Sequence, residues 1–144
     1  MADQLGEHMS TRTKTTVAAG MAAVAVAASL LVATPASAAP TACSSGKACM
    51  YRNHTYGGGY FNFVSYIANL DGRKYADLGY FSANDSVSSV YNNGTKKAVR
   101  FYQTKNYTGP YVDLPLKTED TNLNDASGQI KKVFNDRISS AKFI

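Results

Sequence analysis

A chain of 144 residues, 44% hydrophobic and 17% charged with a net charge of +5, has room for one domain of ordinary size. Its 15 basic residues are scattered, with Lys96-Lys97 and Lys131-Lys132 among the few adjacent pairs, so the charge reads as solubilising and no nucleic-acid partner is expected. The two cysteines and two histidines lack the spacing of a Cys/His metal cluster.

The first stretch, residues 1–38, has the layout of a secretory signal peptide. Arg12 and Lys14 form a positive start, and residues 17–33 are apolar or small throughout. Thr34-Pro35 ends the run, and Ala36-Ser37-Ala38 offers the small side chains a signal peptidase accepts, placing cleavage between Ala38 and Ala39. Met9 is a second candidate start, since Asp3 and Glu7 sit oddly in a basic leader. The apolar run is at the lower edge of what spans a bilayer and is dominated by Ala. Removal is therefore expected, with a secreted product and no stable membrane insertion.

The mature part, residues 39–144, opens with Cys43 and Cys49. An even cysteine count in an exported chain points to a bridge. So short a loop would stabilise by only about 2 kcal/mol, and its better use is to pin residues 39–47 against the first strand. A metal site is the alternative, but His54 is the only histidine after the leader.

From there the chain reads as β. Residues 48–53 and 98–103 are short runs with large apolar side chains, each followed by a glycine-bearing turn. Residues 59–64 and 110–114 come next; in the first of these Phe61 and Phe63 share one face and Tyr60 and Asn62 the other. Residues 88–92 and 139–143 close each half. The best candidate for a helical turn is around residues 74–78. Ten Tyr and six Phe with no Trp suit a small β core, and all these aromatics are assigned to core and hairpin packing.

The two halves are copies. Tyr51, Tyr56, Gly58 and Tyr60 recur as Tyr102, Tyr107, Gly109 and Tyr111, and Asn84, Asp85, Ser88 and Ser89 recur as Asn135, Asp136, Ser139 and Ser140. Every pair has the same offset, so the mature chain is two copies of one supersecondary unit. The first motif is Tyr-x-x-x-x-Tyr-x-Gly, whose glycine permits a turn conformation closed to other residues. The second is Asn-Asp-x-x-Ser-Ser. It offers amide, carboxylate and hydroxyl oxygens of the kind a hard cation takes, and a single copy would be read as an Asx or Ser/Thr turn.

In this order and twice over, the two motifs resemble the Greek-key repeat of the βγ-crystallins. The resemblance covers residues 48–144 and implies an all-β fold: Greek key 1 over about 48–93 and Greek key 2 over about 98–144, joined as one β-sandwich and expected as a monomer. It also implies two calcium ions, each held by both loops. Asp85 and Ser139 would serve one ion and Asp136 and Ser88 the other. Asn84 and Asn135 would shape the loops, and carbonyls near residues 53–56 and 105–107 would complete the shells.

The cysteine pair ahead of the first aromatic motif, with the leader and the single-domain size, is similar to the secreted bacterial peptidase inhibitors of this fold, the metalloproteinase-inhibitor group. The implied partner is a secreted metalloprotease. This chain departs from the characterised type, because it has no cysteine for the second disulfide that braces the reactive segment. The same fold also implies two other roles, a calcium-stabilised structural or stress protein and a killer-toxin-like effector. An enzyme is not expected: Gly-x-Ser-x-Gly and His-Glu-x-x-His are absent, and His54 sits in a turn.

Overall fold

A computed structural model describes Pro40 and residues 42–144. The expected signal peptide and its expected cleavage site lie outside the described residues. Among the described residues no helix is long and apolar enough to cross a membrane.

Among the described residues, ten strands and two short 3-10 turns are formed. Strands β1 (Lys47–Tyr51), β2 (Tyr60–Phe63), β3 (Tyr66–Ile67), β4 (Lys74–Tyr75), β5 (Leu78–Ser82) and β6 (Ser89–Asn93) belong to the first half. Strands β7 (Val99–Thr104), β8 (Thr108–Leu114), β9 (Glu119–Asp120) and β10 (Ser140–Phe143) belong to the second. One four-stranded sheet has the order β2-β1-β6-β9 and the other β3-β10-β7-β8, all antiparallel. Each half thus sends one short strand, β3 or β9, to the edge of the other half's sheet.

Alternation along the strands decides what is buried. Ala48, Met50 and Val90 of the first sheet face Val99, Phe101, Val112, Leu114 and Ala141 of the second, in one core that also takes Leu70, Leu123, Phe134 and Ile138. A side chain of the size of Phe101 stabilises by about 1.5–3 kcal/mol when fully buried. Cys49, Tyr51 and Tyr91 alternate to the outer face of the first sheet.

Two expectations are corrected. Residues 74–78 hold no helical turn; they carry β4 and the start of β5, a two-stranded ribbon. The reason is tertiary: Tyr75 is buried, its hydroxyl bonds to the Ser86 carbonyl at 2.8 Å, and the Ala76 amide donates to the Tyr60 carbonyl. The aromatics are not all core either. Tyr80, Tyr66 and Tyr111 are 74%, 67% and 45% exposed, because they occupy outward positions.

Burial raises the Tyr75 phenol from 10.0 to about 12, and burial aided by Tyr60 and Tyr91 does the same to Tyr51. In the unfolded chain both would ionise near 10. The folded state therefore holds its protons to higher pH, so this stability is complete below pH 10 and declines from there towards about 12. In an alkaline titration followed by phenolate absorbance, Tyr51 and Tyr75 are expected to ionise last, together with unfolding. Ionisation of all ten tyrosines near 10 in a folded protein would contradict this.

Candidate metal centre

The repeated motifs adopt matching local structures. In the first half the Tyr-x-x-x-x-Tyr-x-Gly hairpin places Thr55 and Tyr56 at positive φ (53° and 62°); in the second, Asn106 and Tyr107 take 59° and 60°. Gly58 and Gly109 follow at 71° and 74°, and a Cβ on either would clash with the side chain of Asn53 or Thr104. These turns fold Tyr56 over Tyr51, with ring centres 5.2 Å apart, and Tyr107 over Tyr102 at 5.9 Å. The turn amides are held from the opposite half: Thr55 N–H donates to the Thr121 carbonyl and Asn106 N–H to that of Ala68.

The last serine of each Asn-Asp-x-x-Ser-Ser motif, Ser89 or Ser140, is fully buried and fastens the turn. Ser89 Oγ donates to the Asn53 carbonyl at 2.7 Å and accepts from Tyr56 N–H at 3.1 Å. Ser140 Oγ does the same with Thr104 and Tyr107 at 2.6 and 3.0 Å. Neither role was anticipated for these serines, although both were visible as identities in the repeat.

The loops around the other motif residues lie side by side, as the resemblance implied. Asp85 N–H donates to the Ile138 carbonyl at 3.1 Å and Asp136 N–H to that of Val87 at 3.0 Å. Ser88 N–H bonds Tyr51 O and Ser139 N–H bonds Tyr102 O, each at 2.9 Å. Asp85 and Asp136 stand at φ 48° and 52°, a region Asp tolerates better than most residues. Ser139 Oγ donates across the loops to Asp85 Oδ1 at 3.0 Å. On the other side Ser88 and Asp136 line one cleft with Asp85, Ser86, Asn53 and Arg52.

Asn84 Nδ2 donates to Asp85 Oδ2 at 2.6 Å, and Asn135 Nδ2 to Asp136 Oδ2 at 2.7 Å, so each amide orients the carboxylate beside it. The other amide oxygens, Asn84 Oδ1 and Asn135 Oδ1, are buried with no hydrogen-bond partner in the protein. An unmet buried acceptor costs about 1–3 kcal/mol. Two such acceptors at equivalent places, next to exposed carboxylates and serine hydroxyls, make a donor set of oxygens alone. Such a set fits a hard cation and suits soft metals poorly. Among the described residues no three His, Cys, Asp or Glu side chains converge, so neutral oxygens would have to supply most of the ligands.

Away from these loops, Cys43 and Cys49 are disulfide-bonded, with Cα atoms 5.9 Å apart. Asn92, which the sequence did not single out, is fully buried where the halves join. Its Nδ2 reaches the carbonyls of Lys97, Leu114 and Pro115 at 3.0–3.2 Å, and its Oδ1 accepts from Gly94 N–H at 2.9 Å. The signal available was a polar residue at an inward strand position.

Comparison with known proteins agrees with this fold. The model of peptidase inhibitor family I36 matches residues 36–114. A domain solved in connection with the evolution of the eye lens βγ-crystallin fold is similar at TM-score 0.55 and 20% identity, over 70% of this chain and 87% of that one. A βγ-crystallin from Ciona intestinalis is similar at TM-score 0.52 and 19% identity, over 69% of this chain and all of that one. One from an archaeon is similar at 0.50 and 24%, over 70% of this chain and all of the other. No curated protein sequence matches the chain.

Proposed function

The chain belongs to peptidase inhibitor family I36, and on that basis we propose that its mature domain is a secreted inhibitor of a metalloprotease, carried on a calcium-stabilised βγ-crystallin scaffold. The family match over residues 36–114 carries the reading; it takes in the disulfide, the first repeat and the hairpin that opens the second.

An inhibitor must present an exposed segment that stays in one conformation, because an ordered loop loses little entropy on docking and resists cleavage. The connector at residues 94–98 meets that need. Thr95, Lys96 and Lys97 are exposed, while Asn92 binds the connector at Gly94 and Lys97. Next to it, Asn93 Nδ2 donates to the Cys43 carbonyl at 2.7 Å, and Lys117 Nζ donates to Asn93 Oδ1. This web of hydrogen bonds holds the connector in one conformation. The calcium reading rests on the oxygen donor set of the paired loops.

Purified mature protein is expected to slow a thermolysin-class metalloprotease at stoichiometric amounts, and Lys96→Ala with Lys97→Ala to weaken that inhibition at least tenfold. No inhibition across a panel of secreted proteases, or rapid digestion of the protein, would replace this reading with a structural or toxin-like one.

A further inference from the structure

The internal repeat gives the protein two quasi-equivalent outer faces, and they are finished differently. On the first sheet the cross-strand row is Glu119, Tyr91, Cys49, Asn62; on the second the matching row is Tyr66, Lys142, Arg100, Asp113. Beside each row stands the same stack of rings, Tyr51, Tyr56 and Tyr60 in one and Tyr102, Tyr107 and Tyr111 in the other.

On the first face the chain supplies its own cover. Cys43 packs into the ring cluster through its bond to Cys49, and Pro40 and Ala42 line one cleft with Tyr51, Tyr56 and Tyr60. The position equivalent to Cys49 on the second face is Arg100, so no tether forms there. Instead two cations lie on the rings. Arg100 sits 3.9 Å from the Tyr111 ring centre, already paired to Asp113 through both carboxylate oxygens at 2.7 and 2.8 Å. Lys142 Nζ lies 5.1 Å from the Tyr107 ring and 5.7 Å from that of Tyr102, and makes no ion pair among the described residues. Tyr66 stands edge-on to Tyr107, and the two rings wall a cleft with Ser65, Lys142 and Phe143.

We propose that this second face docks an extended segment of a partner polypeptide, with a proline or small side chain laid against Tyr66, Tyr107 and Tyr111 and a carboxylate against Lys142. The first half of the reasoning is internal: the same ring stack is covered by a small-residue segment containing proline in the other repeat. The second is charge: the ammonium group of Lys142, unpaired and already held over two rings, complements an acidic side chain. Tyr and Arg are also the residues that concentrate binding energy at protein interfaces.

The test is an amide-resolved NMR titration of the mature protein with two blocked peptides, Ac-Ala-Pro-Glu-Ala-NH2 and Ac-Ala-Pro-Lys-Ala-NH2, and with neutral chitohexaose. The glutamate peptide is expected to shift residues 65–66, 105–111 and 142, and to bind about three- to fivefold more tightly than the lysine peptide. Lys142→Ala should erase that preference. Tyr66→Ala should weaken both peptides; since Tyr66 is 67% exposed, near-UV circular dichroism should show the fold retained. Equal binding of both peptides, shifts confined to the first sheet, binding of the glycan alone, or no shift at all would overturn the proposal. No protease is present, so this result and the inhibition assay are read separately.

Discussion

Calcium added to the mature domain is expected to give two binding events of unequal strength, with dissociation constants on the order of 10⁻⁴ M or weaker. Each loop brings one carboxylate, Asp85 or Asp136, and affinity in oxygen sites follows ligand charge and rigidity. The protein's net charge of +5 opposes a dication, weakly at physiological salt. The inequality comes from Arg52, which lines the cleft of Asp136 and Ser88; its repeat equivalent is the neutral Gln103. Arg52→Gln is therefore expected to tighten that site by up to about fivefold. Asp85→Ala and Ser139→Ala should weaken one and the same site, because Ser139 Oγ reaches Asp85 across the loops. At calcium about 100 times the dissociation constant, each independent site adds roughly 2.7 kcal/mol of stability. For a domain of this size that is a rise of about 10 °C in Tm per site. Calorimetry without calcium heat, together with a Tm indifferent to calcium and chelator, would reduce the loops to turns.

Asn92→Ala is expected to cost about 3–5 kcal/mol, measured by chemical denaturation. The two hydrogens of its amide serve three buried or partly buried carbonyls, and its oxygen serves the Gly94 amide. Alanine removes all of these bonds in a tightly packed place, where a Cβ on Gly94 would already strike the Phe143 ring and Asn92 Oδ1; the Pro115 carbonyl keeps Thr118 Oγ1 as a donor at 2.8 Å. Asn92→Asp distinguishes hydrogen bonding from packing. It keeps the volume and the acceptor but sets a carboxylate against carbonyl oxygens, so its folded-state pKa should rise above the usual value near 3.9. Its stability deficit should then be full at pH 7 and shrink as pH falls towards 4. Both variants should also open the connector at Lys96 and Lys97 to trypsin. A change within about 0.5 kcal/mol for Asn92→Ala, with no new cleavage, would show that the clasp contributes nothing.

The fold was legible in the sequence because it is written twice. Eight identities at one offset marked the two units, and period-two alternation in residues 59–64 placed Phe61 and Phe63 on the core side of β2. Gly58 and Gly109 announced the folded hairpins, since their positive φ and the side chains beneath leave no space for a Cβ. The pairing of Asp85 with Ser139 could be anticipated from the family resemblance, as could the disulfide from the cysteine count. What the sequence did not disclose depends on contacts between distant segments. Residues 74–78 are the best candidate for a helical turn by sequence, and the burial of Tyr75 makes them a ribbon. Asn92 breaks the repeat, standing where the second half has Phe143, so no internal copy pointed to it. The difference between the covered and the open ring face was equally hidden. Both faces carry the same tyrosines, and only the folded chain shows that Cys43 brings the N-terminal segment over one of them while Lys142 and Arg100 occupy the other. Periodicity fixes which way a side chain points from its own strand, but what then lies over it is set by segments the local pattern does not see.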